Sequence, residues 1–343
     1  MNGYFINDWN SILVIAAYLV LIPLIGLACW KIPNKIASRV CCWTLAIVSV
    51  LLVNFLSDRE PAGTRMLVII VALLWSMKAV VMSEASLSGV KLNVIQWLAF
   101  TVGWFGMRPN LFTSLNGKPT KRVGEFISKG LIRLAAGAIC FLAAFACLNW
   151  IGDPIQPDVG SALFFPTRAD SIRLLVATLL VLAAFSLLVH FGIFNLLTGF
   201  WRRLGAKCNP LFVAPLLSCS LAEFWGRRWN LAFSEMTALG IYRPVNQRFG
   251  KSTATLIAFV FSGLLHELAI SVPAKAGYGL PLLYFALHGV AMLVENRFLQ
   301  RQSWFISNKV LQRAWTIGWI ALPLPILFHR PFLTGCVWPL LQW

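Results

Sequence analysis

The chain has 343 residues, of which 59% are hydrophobic and only 12% are charged, and its formal net charge is +17. Soluble domains carry roughly 25% charged residues, so this composition excludes an ordinary soluble protein and indicates a polytopic membrane protein. The basic residues stand mainly in short loops between apolar stretches. The positive-inside rule therefore accounts for the net charge, and no nucleic-acid partner is expected.

Eight apolar stretches are long enough to cross a bilayer, which takes roughly 20 residues. They cover about 11–30, 37–56, 66–83, 131–150, 172–197, 253–272, 279–296 and 312–329. Three weaker stretches, at 92–107, 209–221 and 331–343, are short or contain polar residues and prolines, and we expect re-entrant or interfacial helices there. The sequence thus predicts an all-α membrane protein that forms a single domain over its whole length, 1–343.

The distribution of Lys and Arg predicts the orientation of these spans. With eight crossings and the N-terminus outside, 23 of the 29 basic residues fall on the inner side. Such an excess marks the cytoplasmic face, so we expect a multi-pass protein with both termini outside. The small size favours a bacterial inner membrane, with the endoplasmic reticulum as the alternative.

The longest inner segment contains the run Phe-Trp-Gly-Arg-Arg-Trp-Asn at 224–230. On a helix, Phe224, Arg228 and Trp229 would share one face. Arg227 and Arg228 carry planar guanidinium groups that bind phosphate bidentately. The pattern fits an interfacial belt on lipid phosphates. It also fits a docking site for an anionic, partly apolar ligand, such as a phosphorylated nucleotide with an acyl tail.

His266 lies deep inside an apolar span, about 20 Å from its inner end if the span is helical. An ionisable side chain within the bilayer is by default a candidate functional residue. Ser262 and its glycine neighbour lie one turn earlier and are small, which leaves room for a substrate beside the imidazole. Glu267 follows His266 and points about 100° away on a helix. The alternative is a structural histidine that is hydrogen-bonded to a neighbouring helix.

His288 lies in the next, antiparallel span. Counting residues from the outer loop puts it at a depth similar to that of His266. It could orient His266, bind an acceptor or only satisfy a carbonyl group. His190 and His329 stand at span ends, and we interpret both as structural.

The sequence lacks a Walker loop, a GxGxxG turn, a GxSxG elbow and an HExxH motif. Its eight cysteines show no spacing typical of a zinc site. No covalent nucleophile and no metal site are therefore indicated. Direct group transfer with a histidine as general base is the chemistry that remains.

These motifs resemble the wax-synthase branch of the membrane-bound O-acyltransferases, the MBOAT superfamily. The resemblance rests on residues 220–230 with 242–244 behind them, on 261–268, and on 287–290 running to Glu295. It covers roughly residues 200–300, which form the motif-bearing core.

The resemblance implies that an acyl chain moves from acyl-coenzyme A to a hydroxyl acceptor within the membrane, most simply a long-chain alcohol, giving a wax ester. It makes His266 the general base and Asn230 its catalytic partner. Acyl-coenzyme A is then a co-substrate, with no permanently bound cofactor and no metal. The other expected partners are a lipid-soluble alcohol and membrane lipids.

The remaining candidate residues fall into two groups. Those expected to bind the acyl donor are Trp225, Arg227, Arg228, Trp229 and Arg243. Those expected to bind the acceptor or support the base are Ser262, Glu267 and His288. The same chemistry on a sterol, diacylglycerol, glycan or secondary-metabolite hydroxyl is the nearest alternative. A lipid or small-molecule transporter is a different class, and it would be expected to show paired intramembrane charges and repeated halves.

Overall fold

The computed structural model describes residues 3–149 and 169–341, and every regular element in these ranges is helical. The α-helices are, in chain order, α1 Trp9–Trp30, α2 Lys35–Leu56, α3 Ala62–Leu87, α4 Val94–Gly103, α5 Val123–Asn149, α6 Ala169–Phe185, α7 Phe194–Arg203, α8 Leu221–Glu223, α9 Leu231–Thr237, α10 Arg243–Ala269, α11 Ser271–Ala274, α12 Leu280–Arg297, α13 Ser303–Ile306, α14 Lys309–Ala321, α15 Leu324–Leu327 and α16 Arg330–Phe332. Four π-helical segments continue or join these helices, at Ser186–Ile193, Phe224–Arg228, Ala238–Tyr242 and Leu333–Val337.

Within the described ranges, eight helical stretches are long and apolar enough to cross a membrane. Each coincides with one of the eight predicted spans. One stretch, Ile172–Arg203, runs from α6 through a π-helical segment into α7, and another, Leu231–Ala274, joins α9, α10 and α11. The prediction of an all-α, multi-pass membrane protein is confirmed.

The three weaker apolar segments do not form spanning helices. The first contains α4, whose 10 residues extend only about 15 Å. In the second, Pro215 opens a 3-10 turn and α8 has only three residues. The third folds as α16 and two further short helical segments, with residues 342–343 outside the described ranges. Their predicted non-spanning character is confirmed.

Two ion pairs join segments that the sequence predicts to lie on the same side of the membrane. Lys275 Nζ lies 2.7 Å from Asp58 Oδ1, and this hydrogen-bonded ammonium lowers the pKa of the Asp58 carboxyl. Both residues belong to predicted outer loops. At the other end of the bundle, Arg39 Nε lies 2.6 Å from Glu84 Oε1, and both residues belong to the predicted inner side. We call this second end the inner face.

Lys78 departs from the charge-based prediction. It is one of the 23 basic residues that the sequence predicts to lie on the inner side, but it lies within α3 with a fully buried side chain. Its Nζ donates to the carbonyl oxygens of Trp104, at 2.8 Å, and Gly106, and it sits 3.9 Å from the centroid of the Phe100 ring. The assignment of Lys78 to an inner loop is therefore wrong. Its side-chain nitrogen bonds main-chain carbonyl groups inside the protein and so ties α3 to the chain after α4.

Two glycines set the register between the antiparallel helices α10 and α12. A Cβ atom on Gly263 would lie 2.8 Å from Leu282 Cα, and one on Gly289 would lie 3.0 Å from Phe259 Cβ. Small residues at such points let helix backbones approach closely in a membrane protein. This close pair carries His266 on α10 and therefore forms the frame of the candidate site.

Candidate active site

The aromatic-basic run at 224–230 folds as a π-helical turn. Trp229 N donates to Phe224 O at 2.8 Å, a bond that spans five residues. The wider turn stacks the two rings, with centroids 5.6 Å apart and planes 14° from parallel. The predicted shared face is confirmed for Phe224 and Trp229. For Arg228, the third residue of that prediction, the contacts are with Glu223 and with the carbonyl groups of Val213 and Ala214. π-Helical turns occur often at functional sites.

Asn230 occupies a strained backbone position directly after this turn. Its φ of 44° and ψ of 61° are left-handed, a conformation that Asn tolerates better than most residues. Its side-chain Oδ1 accepts a hydrogen bond from Phe233 N at 3.3 Å and so caps α9. Among the described residues its amide nitrogen has no hydrogen-bond partner, so that N–H group remains available to a bound molecule.

His266 lies in the last turn of α10. Its Nδ1 is 2.7 Å from Ser262 O, and a carbonyl oxygen can only accept, so Nδ1 carries the proton and Nε2 carries the lone pair. The imidazole packs between two rings, with centroid distances of 5.4 Å to Phe233 and 4.1 Å to Phe285. Helices α9, α10 and α12 therefore meet around a partly exposed imidazole whose Nε2 is an acceptor.

Ser262 and Glu267 both support this arrangement. The carbonyl group of Ser262 holds the His266 ring, while its side chain is buried. Glu267 Oε1 accepts from Gly279 N at 2.9 Å and from Leu282 N at 3.0 Å. Glu267 thus caps the N-terminus of α12, where a carboxylate also complements the helix dipole. These contacts give both residues supporting positions, and neither contact involves a substrate.

His288 is fully buried, and its Nδ1 bonds Tyr284 O at 2.8 Å. Its neighbour Gly289 packs against Phe259, seven residues before His266, which is about 10 Å of helix. The expectation that His266 and His288 lie at a similar depth is wrong. The contact between Gly289 and Phe259 sets a register in which the main chain at His288 lies opposite an earlier part of α10 than His266. The described residues give His288 Nε2 no hydrogen-bond partner.

Trp225 bridges the two histidines. Its ring centroid lies 5.4 Å from that of His288 and 5.5 Å from that of Phe285, which in turn contacts His266. The indole is therefore part of a continuous ring cluster between α10 and α12. Trp229 lies elsewhere, with its ring 4.9 Å from Phe212 and 5.5 Å from His190. The two predicted donor-binding tryptophans thus line different parts of the interior.

The three candidate arginines differ in their contacts. Arg228 donates through Nε to Glu223 Oε1 at 2.7 Å and through Nη1 to the carbonyl oxygens of Val213 and Ala214. These bonds hold the turn together and occupy much of the guanidinium group. Arg227 and Arg243 are exposed at the inner face. The roles of all three in donor binding stay predictions.

Sequence reasoning gave Glu295 no role beyond marking the end of a motif. Its carboxylate is fully buried in α12, where Oε2 accepts from Leu221 N at 2.9 Å and Trp315 Nε1 at 3.1 Å. The bond to Leu221 fixes the start of the segment that leads to Asn230. The sequence feature that could have indicated this role is a carboxylate near the end of an apolar span. Phe233 and Phe285 carried no signal, since a phenylalanine in a membrane protein is ordinarily a packing residue.

The sequence of this region matches a known family. Residues 208–287 fit the model of the Membrane bound O-acyl transferase family. The resemblance inferred from the motifs is confirmed. The matched range includes both Asn230 and His266, and it ends one residue before His288.

Curated relatives narrow the resemblance to the wax-synthase branch. The chain is 39% identical over 101 residues to "Long-chain-alcohol O-fatty-acyltransferase" of Simmondsia chinensis, covering 27% of this chain and 29% of the relative. It is 33% identical over 144 residues to "Probable long-chain-alcohol O-fatty-acyltransferase 9" of Arabidopsis thaliana, covering 38% and 42%. These matches span less than half the length of each relative. Both relatives are plant proteins, so the expectation of a bacterial inner membrane receives no support from them.

Proposed function

We propose that this protein transfers a fatty acyl group from acyl-coenzyme A to the hydroxyl group of a long-chain alcohol inside the membrane. The observation that carries the proposal is the Nδ1 bond of His266 to Ser262 O, which leaves Nε2 as a proton acceptor. The family match over 208–287 and the names of the relatives support the same chemistry.

In this mechanism His266 Nε2 takes the proton of the alcohol while the alcohol oxygen attacks the thioester carbonyl carbon. The amide N–H of Asn230 donates to the oxyanion that develops there, in the manner of an oxyanion hole. The tetrahedral intermediate then expels the thiolate of coenzyme A, and the proton on Nε2 passes to that sulfur. An ester and a free thiol result, and the ring returns to its starting protonation state. The rings of Phe233 and Phe285 cover part of the imidazole and so reduce the access of water to it.

The acceptor is the least constrained part of the proposal. The names of the relatives favour a long-chain alcohol, while a sterol, diacylglycerol, glycan or secondary-metabolite hydroxyl would undergo the same reaction. Gly289, the neighbour of His288, packs against Phe259, so the main chain at His288 lies about 10 Å along α10 from that at His266. We therefore assign the reacting hydroxyl to His266 and propose no contact between it and His288. Either an endoplasmic reticulum or a bacterial inner membrane would supply acyl-coenzyme A at the inner face.

The test is acyl transfer by the purified protein in lipid nanodiscs. The protein receives a long-chain acyl-coenzyme A and, in separate reactions, a primary long-chain alcohol, a sterol, a diacylglycerol or a sugar alcohol. Thiol release and the ester product are measured together. We expect wax ester to form fastest. Ester formation only with another acceptor would replace the alcohol in the proposal, and an absence of ester with every acceptor would refute acyl transfer.

A further inference from the structure

Two inner-face loops pair along their main chains. Asn116 N donates to Leu204 O at 2.8 Å, and Lys207 N donates to Leu111 O at 3.0 Å. A Cβ atom on Gly205 would lie 2.7 Å from the main-chain nitrogen of Gly117, so the two backbones touch. We call residues 108–122 and 202–210 the paired loops. Their hydrogen bonds make one ordered surface from segments about 90 residues apart in sequence.

The paired loops present an excess of exposed positive charge. Lys118, Lys121, Arg203 and Lys207 are all exposed. In the described ranges none of these four forms an ion pair with a carboxylate. Arg202 is different, because its Nε and Nη1 donate to the carbonyl oxygens of Lys121 and Cys208. It holds the loops together and leaves the lysines to face outward.

A cavity of about 90 Å³ lies under this surface. Its polar lining includes Arg108, Asn209 and Glu235, and its apolar lining includes Leu111 and Leu231. The cavity therefore reaches from the paired loops to the residue that follows Asn230. Such a mixed lining fits a narrow chain that carries amide groups, because apolar walls hold the methylenes and polar groups bind the amides.

The polar groups of the cavity are held in place. Glu235 Oε1 lies 2.7 Å from Arg108 Nε, and Glu235 Oε2 accepts from Met107 N at 3.2 Å. The Arg108 side chain is still 56% exposed. Its outer N–H groups therefore remain able to bind an anion at the cavity mouth, where the guanidinium fork suits phosphate.

We propose that the paired loops bind the nucleotide phosphates of the acyl donor and that the cavity beneath them holds its pantetheine arm. Lys118, Lys207 and Arg108 contact the phosphates, and the arm leads past Leu231 toward Asn230. This assignment rests on the proposed acyl transfer. It moves the main phosphate site away from Arg228, whose guanidinium group already binds Glu223 and two carbonyl oxygens.

The first test removes two charges from the paired loops. The double variant Lys118→Gln/Lys207→Gln is compared with Lys91→Gln/Lys309→Gln, which removes two exposed charges elsewhere on the inner face. We expect the KM for acyl-coenzyme A to rise about tenfold in the loop variant, since charge-assisted contacts to phosphate are lost. The control should keep the wild-type KM. With acyl-pantetheine, which has no nucleotide phosphates, the loop variant and the wild type should not differ.

Two results would overturn the phosphate site. One is an unchanged KM for acyl-coenzyme A in the loop variant. The other is a loss that appears only in nanodiscs containing anionic lipid and is equal for acyl-pantetheine, which would make the paired loops a lipid-headgroup anchor.

The second test narrows the cavity with Leu111→Trp, with thermal unfolding as the check on folding. We expect the KM to rise for acyl-coenzyme A and for acyl-pantetheine alike, because both contain the pantetheine arm. An unchanged KM for both donors in the folded variant would show that the pantetheine arm does not bind in the cavity. Binding of coenzyme A alone, measured by calorimetry, separates this inference from the proposed function. Wild-type protein that binds coenzyme A at the loops but makes no ester would refute only the acyl transfer.

Discussion

His266 Nδ1 lies 2.7 Å from the carbonyl oxygen of Ser262, one helical turn earlier in α10. The bond fixes the tautomer, since the carbonyl can accept but not donate. The same relationship joins His288 Nδ1 to Tyr284 O at 2.8 Å in α12. Both rings are therefore held through Nδ1 by the carbonyl group one turn earlier in their own helix. Only His266 has a partly exposed ring next to the helix that Asn230 caps.

Replacing the base should remove catalysis and leave donor binding. For His266→Ala we expect kcat to fall by about 10²- to 10⁴-fold, the usual contribution of a general base. The KM for acyl-coenzyme A should stay near the wild-type value, because the proton is transferred only in the transition state. Thiol release with alcohol present measures the effect. A folded variant with wild-type kcat would exclude His266 as the base.

The two functions of the Asn230 side chain can be separated by substitution. Asn230→Asp keeps an oxygen that caps α9 and tolerates a left-handed backbone, but it has no N–H to donate. We expect near-wild-type thermal stability and a kcat lower by about 10²- to 10³-fold. Asn230→Ala should also lose about 1–2 kcal/mol of folding free energy through the missing cap and the strained backbone. A kcat for Asn230→Asp equal to that of the wild type would refute the oxyanion role.

The sequence predicted the spans, the helical class and the motif region. These features depend on the length of apolar runs and on the positions of basic residues, which can be seen within one stretch of sequence. It failed for Lys78, whose burial depends on carbonyl groups at 104 and 106 that only the fold brings near. It also failed for the depth of His288, because counting residues from a loop ignores the register that Gly263 and Gly289 impose. The bonds of Arg228 to the carbonyl groups of Val213 and Ala214, and those of Glu267 to the start of α12, could not be predicted either, since these partners lie on other segments.

The close approach of α10 and α12 predicts that a single methyl group at the contact is costly. Gly263→Ala would place Cβ 2.8 Å from Leu282 Cα, so the helices must separate. We expect a loss of about 1–3 kcal/mol, typical of overpacking, together with reduced kcat, as His266 and Phe285 move apart. Gly318→Ala in α14 is the matched control, because nothing lies within 4 Å of its added Cβ. Equal unfolding temperatures for the two variants would contradict this packing argument.

Arg227 and Arg228 are adjacent but should respond differently to loss of charge. Arg228→Gln breaks bonds to Glu223 and to the carbonyl groups of Val213 and Ala214, so we expect a lower unfolding temperature. Arg227→Gln changes an exposed side chain and should leave stability near the wild-type value. Its effect on the KM for acyl-coenzyme A then tests its predicted part in donor binding. Equal destabilisation by both substitutions would contradict the structural role of Arg228.

Lys78 should stabilise the fold through its carbonyl partners. Lys78→Met has a similar length and removes the buried side-chain nitrogen, but it leaves the carbonyl groups of Trp104 and Gly106 without this partner. Each unpaired buried carbonyl costs about 1–3 kcal/mol, so we expect a clear fall in unfolding temperature. Faster amide exchange across residues 104–108 should accompany it, because Lys78 anchors this segment to α3. Lys91→Met is the control, because Lys91 is exposed. Equal rates of amide exchange across residues 104–108 in the two variants would contradict the role of Lys78 in holding this segment to α3.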